Sequence, residues 1–93
     1  MYYTYILQSE KNSRFYTGHT SDLRKRLAEH QNKAKNYPNS YTKGKGPFVL
    51  IYYEACKNKK DARSRELYLK SGMGKRYIKN RLKNYLSSGV SYL

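Results

Sequence analysis

The spacing of apolar residues changes period along the chain, and each change marks an expected element. Residues 2–8, YYTYILQ, and 14–19, RFYTGH, are rich in aromatic and β-branched types and flank the polar stretch Glu10-Lys11-Asn12-Ser13. That pattern predicts a β-hairpin. With those four residues as the loop, antiparallel pairing sets Ser9 opposite Arg14, Leu7 opposite Tyr16 and Tyr5 opposite Gly18. Side chains alternate between the faces of a strand. Tyr5 and Tyr16 are therefore expected on one face as diagonal neighbours, with open space over the side-chain-free Gly18.

Thr20-Ser21-Asp22 supplies capping residues ahead of LRKRLAEH, which predicts a helix over about 22–32. On it Leu23 and Leu27 form the apolar stripe, and Lys25 and Glu29 point away. Arg26 and His30, spaced i and i+4, run along the edge of that stripe with their heads near the sheet. The stretch 31–47 contains Pro38, Gly44 and Gly46 without periodicity and is expected to be a long loop. FVLIYYEA, residues 48–55, is nearly continuously apolar, which predicts a central strand covered on both faces. A second helix is expected from near Asn58 to the Gly72/Gly74 pair, with Ala62, Glu66, Leu69 and Met73 along one line. KRYIKNRLKNYL predicts a third, whose apolar side holds Tyr77, Ile78, Leu82, Tyr85 and Leu86. No internal repeat is visible.

Composition narrows the class. The 93 residues suit one domain, and 38% hydrophobic content with a mean hydropathy of -1.04 implies a thin core. Much of that core has to come from the 12 tyrosines, since tryptophan is absent. Twenty Lys and Arg against six Asp and Glu give a net charge of +14. Such a surplus points to a polyanion, with counterion release offsetting the self-repulsion. No basic amphipathic helix with a bulky apolar face argues for a membrane surface, and no apolar run approaches a membrane span. The single Cys56 excludes an intramolecular disulfide, and no Cys/His spacing resembles a zinc site. With no signal-peptide pattern at the start, a cytoplasmic location is expected.

Phosphodiester hydrolysis requires an activated water, a cation against the developing charge and stabilisation of the leaving oxygen. Glu66 sits in the middle of an apolar stripe, where a carboxylate is costly unless paired or metal-bound. Two readings stay open: a Mg²⁺ ligand with water and phosphate completing the sphere, or an ion pair with one of the nearby arginines. Arg26 is suited to clamp a phosphate, and His30 to hydrogen-bond a tyrosine or move a proton, or the two form an ordinary salt-bridging face. Tyr5 and Tyr16 are either core tyrosines or hydroxyls that position or activate water.

The order Tyr3-Thr4-Tyr5, Tyr16-Thr17-Gly18, Thr20, Arg26 and His30 on a helix, then Glu66 on a later helix resembles the GIY-YIG nuclease superfamily. The similarity spans residues 1–86 and is greatest to small stand-alone single-domain members, leaving 87–93 as a tail. The resemblance implies an α/β (α+β) fold, a small three-stranded antiparallel sheet flanked by about three helices. It also implies a divalent-metal endonuclease, using Mg²⁺ or Mn²⁺, that hydrolyses DNA in repair or processing. On that basis Tyr5 and Tyr16 activate or support the attacking water, Arg26 binds the scissile phosphate, His30 assists proton transfer and Glu66 holds the metal. A site asparagine corresponds to Asn80, or to Asn84. The first motif reads YTY and the second YTG, and both keep their tyrosine.

The loop lysines Lys33, Lys35, Lys43 and Lys45, interleaved with Tyr37 and Tyr41, suit phosphates and unstacked bases, or form a solvated loop. Arg76 and Lys79, with Lys83 beside them, offer a second basic face for nonspecific backbone contact. DNA is the expected partner, with RNA open, and the domain either has loose specificity, dimerises as a homodimer or borrows its selectivity from a partner protein. The rival function is a nucleic-acid-binding module that keeps the nuclease fold without turnover.

Overall fold

The structure, a computed structural model, describes residues 1–32 and 46–88. In chain order these form β1 (Tyr2–Ser9), β2 (Phe15–Thr20), α1 (Leu23–Asn32), β3 (Phe48–Cys56), α2 (Lys59–Lys70), α3 (Gly72–Arg81) and the single turn α4 (Lys83–Leu86). The three strands make one antiparallel sheet in the order β2-β1-β3. This is the α+β architecture that the resemblance implies.

The hairpin register agrees with the one that loop length predicts: Tyr5 faces Gly18 and Leu7 faces Tyr16. Its turn is held by Ser9, whose Oγ accepts from the backbone N–H of Lys11 at 3.0 Å and of Asn12 at 3.2 Å. Asn12 Oδ1 in turn accepts from Arg14 N at 2.9 Å, and Ser13 takes the left-handed conformation with φ 63°. Such local side-chain bonds favour a turn over continued strand.

The central strand is β1, and β3 lies at an edge, contrary to the expectation from its apolar run. The reason is visible in the partners. β1 carries the polar residues Thr4 and Gln8, but both are buried and satisfied. Thr4 Oγ1 donates to Ala62 O at 2.8 Å, Gln8 Nε2 donates to Ser13 O at 3.2 Å, and Tyr85 Oη donates to Gln8 Oε1 at 2.7 Å. β3 is apolar because each face still packs: Phe48 and Leu50 on the α1 side, Ile51 and Tyr52 on the α2/α3 side, with a register shift opposite Ile6/Leu7. Most of the strand is only half-buried, so neither face is fully covered.

Two small cores lie on the two faces of the sheet. Tyr5, Leu7, Tyr16 and Phe48 pack with Leu23 and Leu27 of α1, the stripe expected there. Ile6, Leu69 and Ile78 pack with Phe15, Ile51, Tyr52 and Leu82 on the other face. Asp22 caps α1 by accepting Lys25 N–H at 3.0 Å, and Asn58 caps α2 by accepting Lys60 N–H at 2.8 Å. Ala62, Glu66 and Leu69 form the buried face of α2, as the pattern predicts. Met73 does not join them. The chain breaks at Ser71, α3 begins at Gly72, and Met73 is 69% exposed. The third helical stretch thus starts earlier than the pattern indicates and divides at Leu82 into α3 and α4. Among the described residues no helix is long and apolar enough to cross a membrane.

Candidate functional site

Because β2 is an edge strand, groups from both faces of the sheet can reach its open side. Tyr16 and Gly18 face α1, whereas Phe15 and His19 face the α2 layer. Tyr5, on the neighbouring strand, lies opposite Gly18. The space expected over Gly18 is filled: a Cβ there would sit 2.5 Å from the Tyr5 hydroxyl oxygen and 2.7 Å from Cζ. Glycine is needed because the Tyr5 ring lies directly over β2 toward its free edge.

The Tyr5 hydroxyl meets His30 Nε2 at 3.1 Å, with the two rings edge to face and 5.9 Å between centroids. His30 also packs edge-on against Phe48. Burial lowers the His30 pKa below its usual 6.5, the charge of Arg26 lowers it further, and Glu29 opposes the shift. His30 is therefore neutral near pH 7. Tyr16 is buried against Phe48, with ring centroids 5.3 Å apart, and its hydroxyl accepts from Asn12 Nδ2 at 3.3 Å. Tyr16 is thus at once core and cleft wall.

Glu66 approaches the same opening from α2. It is 9% exposed, one carboxylate oxygen hydrogen-bonded to His19 Nδ1 and the other accepting from Lys70 Nζ at 2.5 Å. Burial raises its pKa, but the hydrogen bonds and charges of Lys70 and His19 outweigh burial and hold it below the ordinary value. The carboxylate is ionised at neutral pH. Its ion-pair partner is a lysine, not one of the arginines: Arg65 instead binds Glu54, with Nε 3.0 Å from both carboxylate oxygens.

Tyr5, Tyr16, Arg26, His30 and Glu66 all line one open cleft of about 560 Å³. His19, Arg63 and Lys70 line it too. Sequence patterning missed these three, although two signals were present. Strand alternation turns His19 toward the face that α2 covers, and Lys70 is four residues after Glu66 on the same helix. Arg26 is half exposed and paired with Glu29 at 3.3 Å, so its head stays near the cleft mouth. Asn80 and Asn84 are exposed and lie apart from the cleft lining. Arg76 is exposed on α3, and Lys79 lines a different cavity. Lys33, Lys35, Lys43 and Lys45, with Tyr37 and Tyr41, lie outside the described residues.

Among the described residues no three His, Cys, Asp or Glu side chains gather into a metal cluster. The donor set is one ionised carboxylate. Magnesium fits such a set because it retains several waters and often takes only one or two protein carboxylates. Lys70, the ammonium on that carboxylate, is 47% exposed on a flexible stem.

The chain is similar to several known proteins. The family model described as the GIY-YIG catalytic domain matches residues 1–78. The chain is 44% identical over 70 residues to UPF0213 protein CPE1444 of Clostridium perfringens, covering 75% of this chain and 71% of that one. It is 39% identical over 70 residues to UPF0213 protein SH2523 of Staphylococcus haemolyticus, covering 75% and 80%. The solution NMR structure of UPF0213 protein BH0048 from Bacillus halodurans superposes with a TM-score of 0.50 at 33% identity, covering 96% of this chain and 88% of that one. A match over residues 1–78, most of the chain, places it in the GIY-YIG catalytic-domain family.

Proposed function

We propose that this protein is an endonuclease that hydrolyses DNA phosphodiester bonds, with Mg²⁺ or Mn²⁺ held by Glu66. One observation carries the reading: a neutral Tyr5–His30 pair, an ionised buried carboxylate and the cations Arg26, Arg63 and Lys70 all border one cleft. In the tautomer protonated at Nδ1, His30 accepts the Tyr5 hydroxyl proton through Nε2. The Tyr5 oxygen is then able to take a proton from the attacking water, so the proton path runs from water to Tyr5 to His30. Tyr16 supports the cleft wall beside Tyr5. Arg26 and Arg63 hold the phosphate, and their charges oppose the negative charge that grows on its oxygens as water attacks phosphorus and the bond to the leaving sugar oxygen breaks. Lys70 turns from Glu66 toward the phosphate. A divalent cation, when bound at Glu66, supplies Lewis-acid stabilisation of that charge.

The test is cleavage of labelled branched, tailed and blunt duplex DNA, and of RNA, with and without Mg²⁺ or Mn²⁺. The parent is expected to cut DNA only with a divalent cation. Glu66→Ala should abolish cutting while DNA affinity in chelator stays within about threefold, because phosphate contacts by cations dominate affinity. Equal cutting by variant and parent would sink the assignment of Glu66. The ion pair of Lys70 with Glu66 favours a second reading, a binding module without turnover. DNA binding by the parent without cutting under any of these conditions would select it.

A further inference from the structure

A second cavity adjoins the cleft on the α2/α3 side of β2. It measures about 620 Å³ and shares the lining residues Tyr16, Thr17 and Lys70 with the cleft, so the two lie side by side along β2. Its floor is apolar: Ile6, Leu69 and Ile78 are nearly inaccessible, and Phe15, half-buried, also lines the cavity. Around it stand Arg14, Lys75 and Lys79, all exposed, and among the described residues no carboxylate lines this groove.

We propose that this groove binds a single-stranded continuation of the nucleic acid whose phosphate occupies the cleft. An unpaired base would lie on Phe15, and its flanking phosphates would meet Arg14, Lys75 and Lys79. The proposal deepens the nuclease reading and rests on it for the position of the scissile phosphate. Three observations select this occupant. The volume falls in the range of small-ligand sites, about 300–1,000 Å³, enough for a nucleotide and too small for a duplex. Cations around an apolar floor match a ligand that is anionic along its backbone and flat and apolar at its bases. Adjacency to the cleft across Tyr16, Thr17 and Lys70 puts both cavities within reach of one strand. The groove would thus favour DNA in which paired and unpaired segments meet near the cut.

The experiment measures binding in chelator, with no divalent cation, by fluorescence anisotropy. The probes are a blunt duplex and the same duplex bearing a single-stranded tail, with 2-aminopurine at the first unpaired position in a parallel set. The parent is expected to bind the tailed duplex about tenfold more tightly than the blunt one, the scale of one base stacked on an aromatic ring. Lys75→Glu with Lys79→Glu, both surface changes, should bring that ratio close to one. Phe15→Leu keeps an apolar side chain in the floor and removes the flat face, so the 2-aminopurine quenching seen with the parent should vanish. A parent ratio of one, a ratio untouched by the charge reversals, or unchanged 2-aminopurine emission would each overturn the groove assignment. If the parent cuts DNA yet shows no preference for the tail, the groove fails and the nuclease reading stands. If it prefers the tail but never cuts, the nuclease reading fails and the groove remains a binding site.

Discussion

At the scale of single residues, the proposed proton path depends on an imidazole that stays uncharged. A protonated His30 has no lone pair at Nε2 and cannot accept from Tyr5. Its burial and the nearby Arg26 guanidinium guard against that state by lowering its pKa. The sign follows from linkage. Protonation favours the unfolded chain, so the stability that neutral His30 contributes is present above its ordinary value of 6.5 and is lost as pH falls through the lowered folded value. Activity has the same direction: it should be held at pH 6.5 and fall only below. The acid limb of kcat/KM for the parent is therefore expected below 6.5. Thermal melts should show the parent losing more stability than His30→Asn on acidification through that range. A limb above 6.5, or equal acid sensitivity of parent and variant, would refute the neutral-acceptor role. Glu66 titrates separately: its pKa is lowered too, so its contribution is present above the ordinary carboxylate range and lost only at lower pH.

Elements explain why some of this was readable in the sequence and some was not. Hairpin register follows from loop length and the alternation of side chains, and both are local, so Tyr5 could be paired with Gly18 by counting. The convergence of Tyr5 with His30, or of Glu66 with His19, is set by how α1 and α2 cross the sheet. Patterning gives a face without naming the partner on it. Strand order departs from the pattern because the apolar run of β3 suggests a centre, whereas β1 holds it with Thr4 and Gln8 satisfied by hydrogen bonds to Ala62, Ser13 and Tyr85. The break between α2 and α3 is likewise tertiary. Ser71 Oγ caps α3 by accepting Gly74 N–H at 3.1 Å, and Gly74 lies against the end of α2, where a Cβ would be 1.9 Å from Tyr68 O and 2.6 Å from Leu69 Cα. These are backbone atoms, so the two helices would have to separate. Gly74→Ala is expected to destabilise the fold by about 3 kcal/mol, the upper part of the usual range for overpacking. Chemical denaturation would register this as a lower midpoint, and an unshifted midpoint would show that the α2–α3 contact can yield. Since Lys75 and Lys79 ride on α3, the same change should loosen the groove wall while leaving α1 and its His30 in place.

Over the whole molecule, five of the six acidic side chains have internal tasks. Glu29, Glu54 and Glu66 are each in an ion pair, Asp22 caps α1, and Asp61 lies in the first turn of α2, where the helix dipole favours an anion. Holding the fold together consumes most of the negative charge, and the net +14 is left to act outward. That excess is organised. Arg26, Arg63 and Lys70 border the cleft, and Arg14, Lys75 and Lys79 border the groove beside it. If a bound strand engages these six cations, the logarithm of affinity should fall with the logarithm of salt concentration at a slope of about -5 for a duplex and somewhat less steeply for a single strand. Between 50 and 200 mM salt that is a loss of about a thousandfold. Titrations of tailed duplex at several salt concentrations, again in chelator, measure the slope directly. Reversing Lys75 and Lys79 together should reduce it by about two, one for each lost phosphate contact. A parent slope near -1 would mean that the surplus of positive charge serves something other than gripping a polyanion, and the case for both cavities as one nucleic-acid track would fall with it.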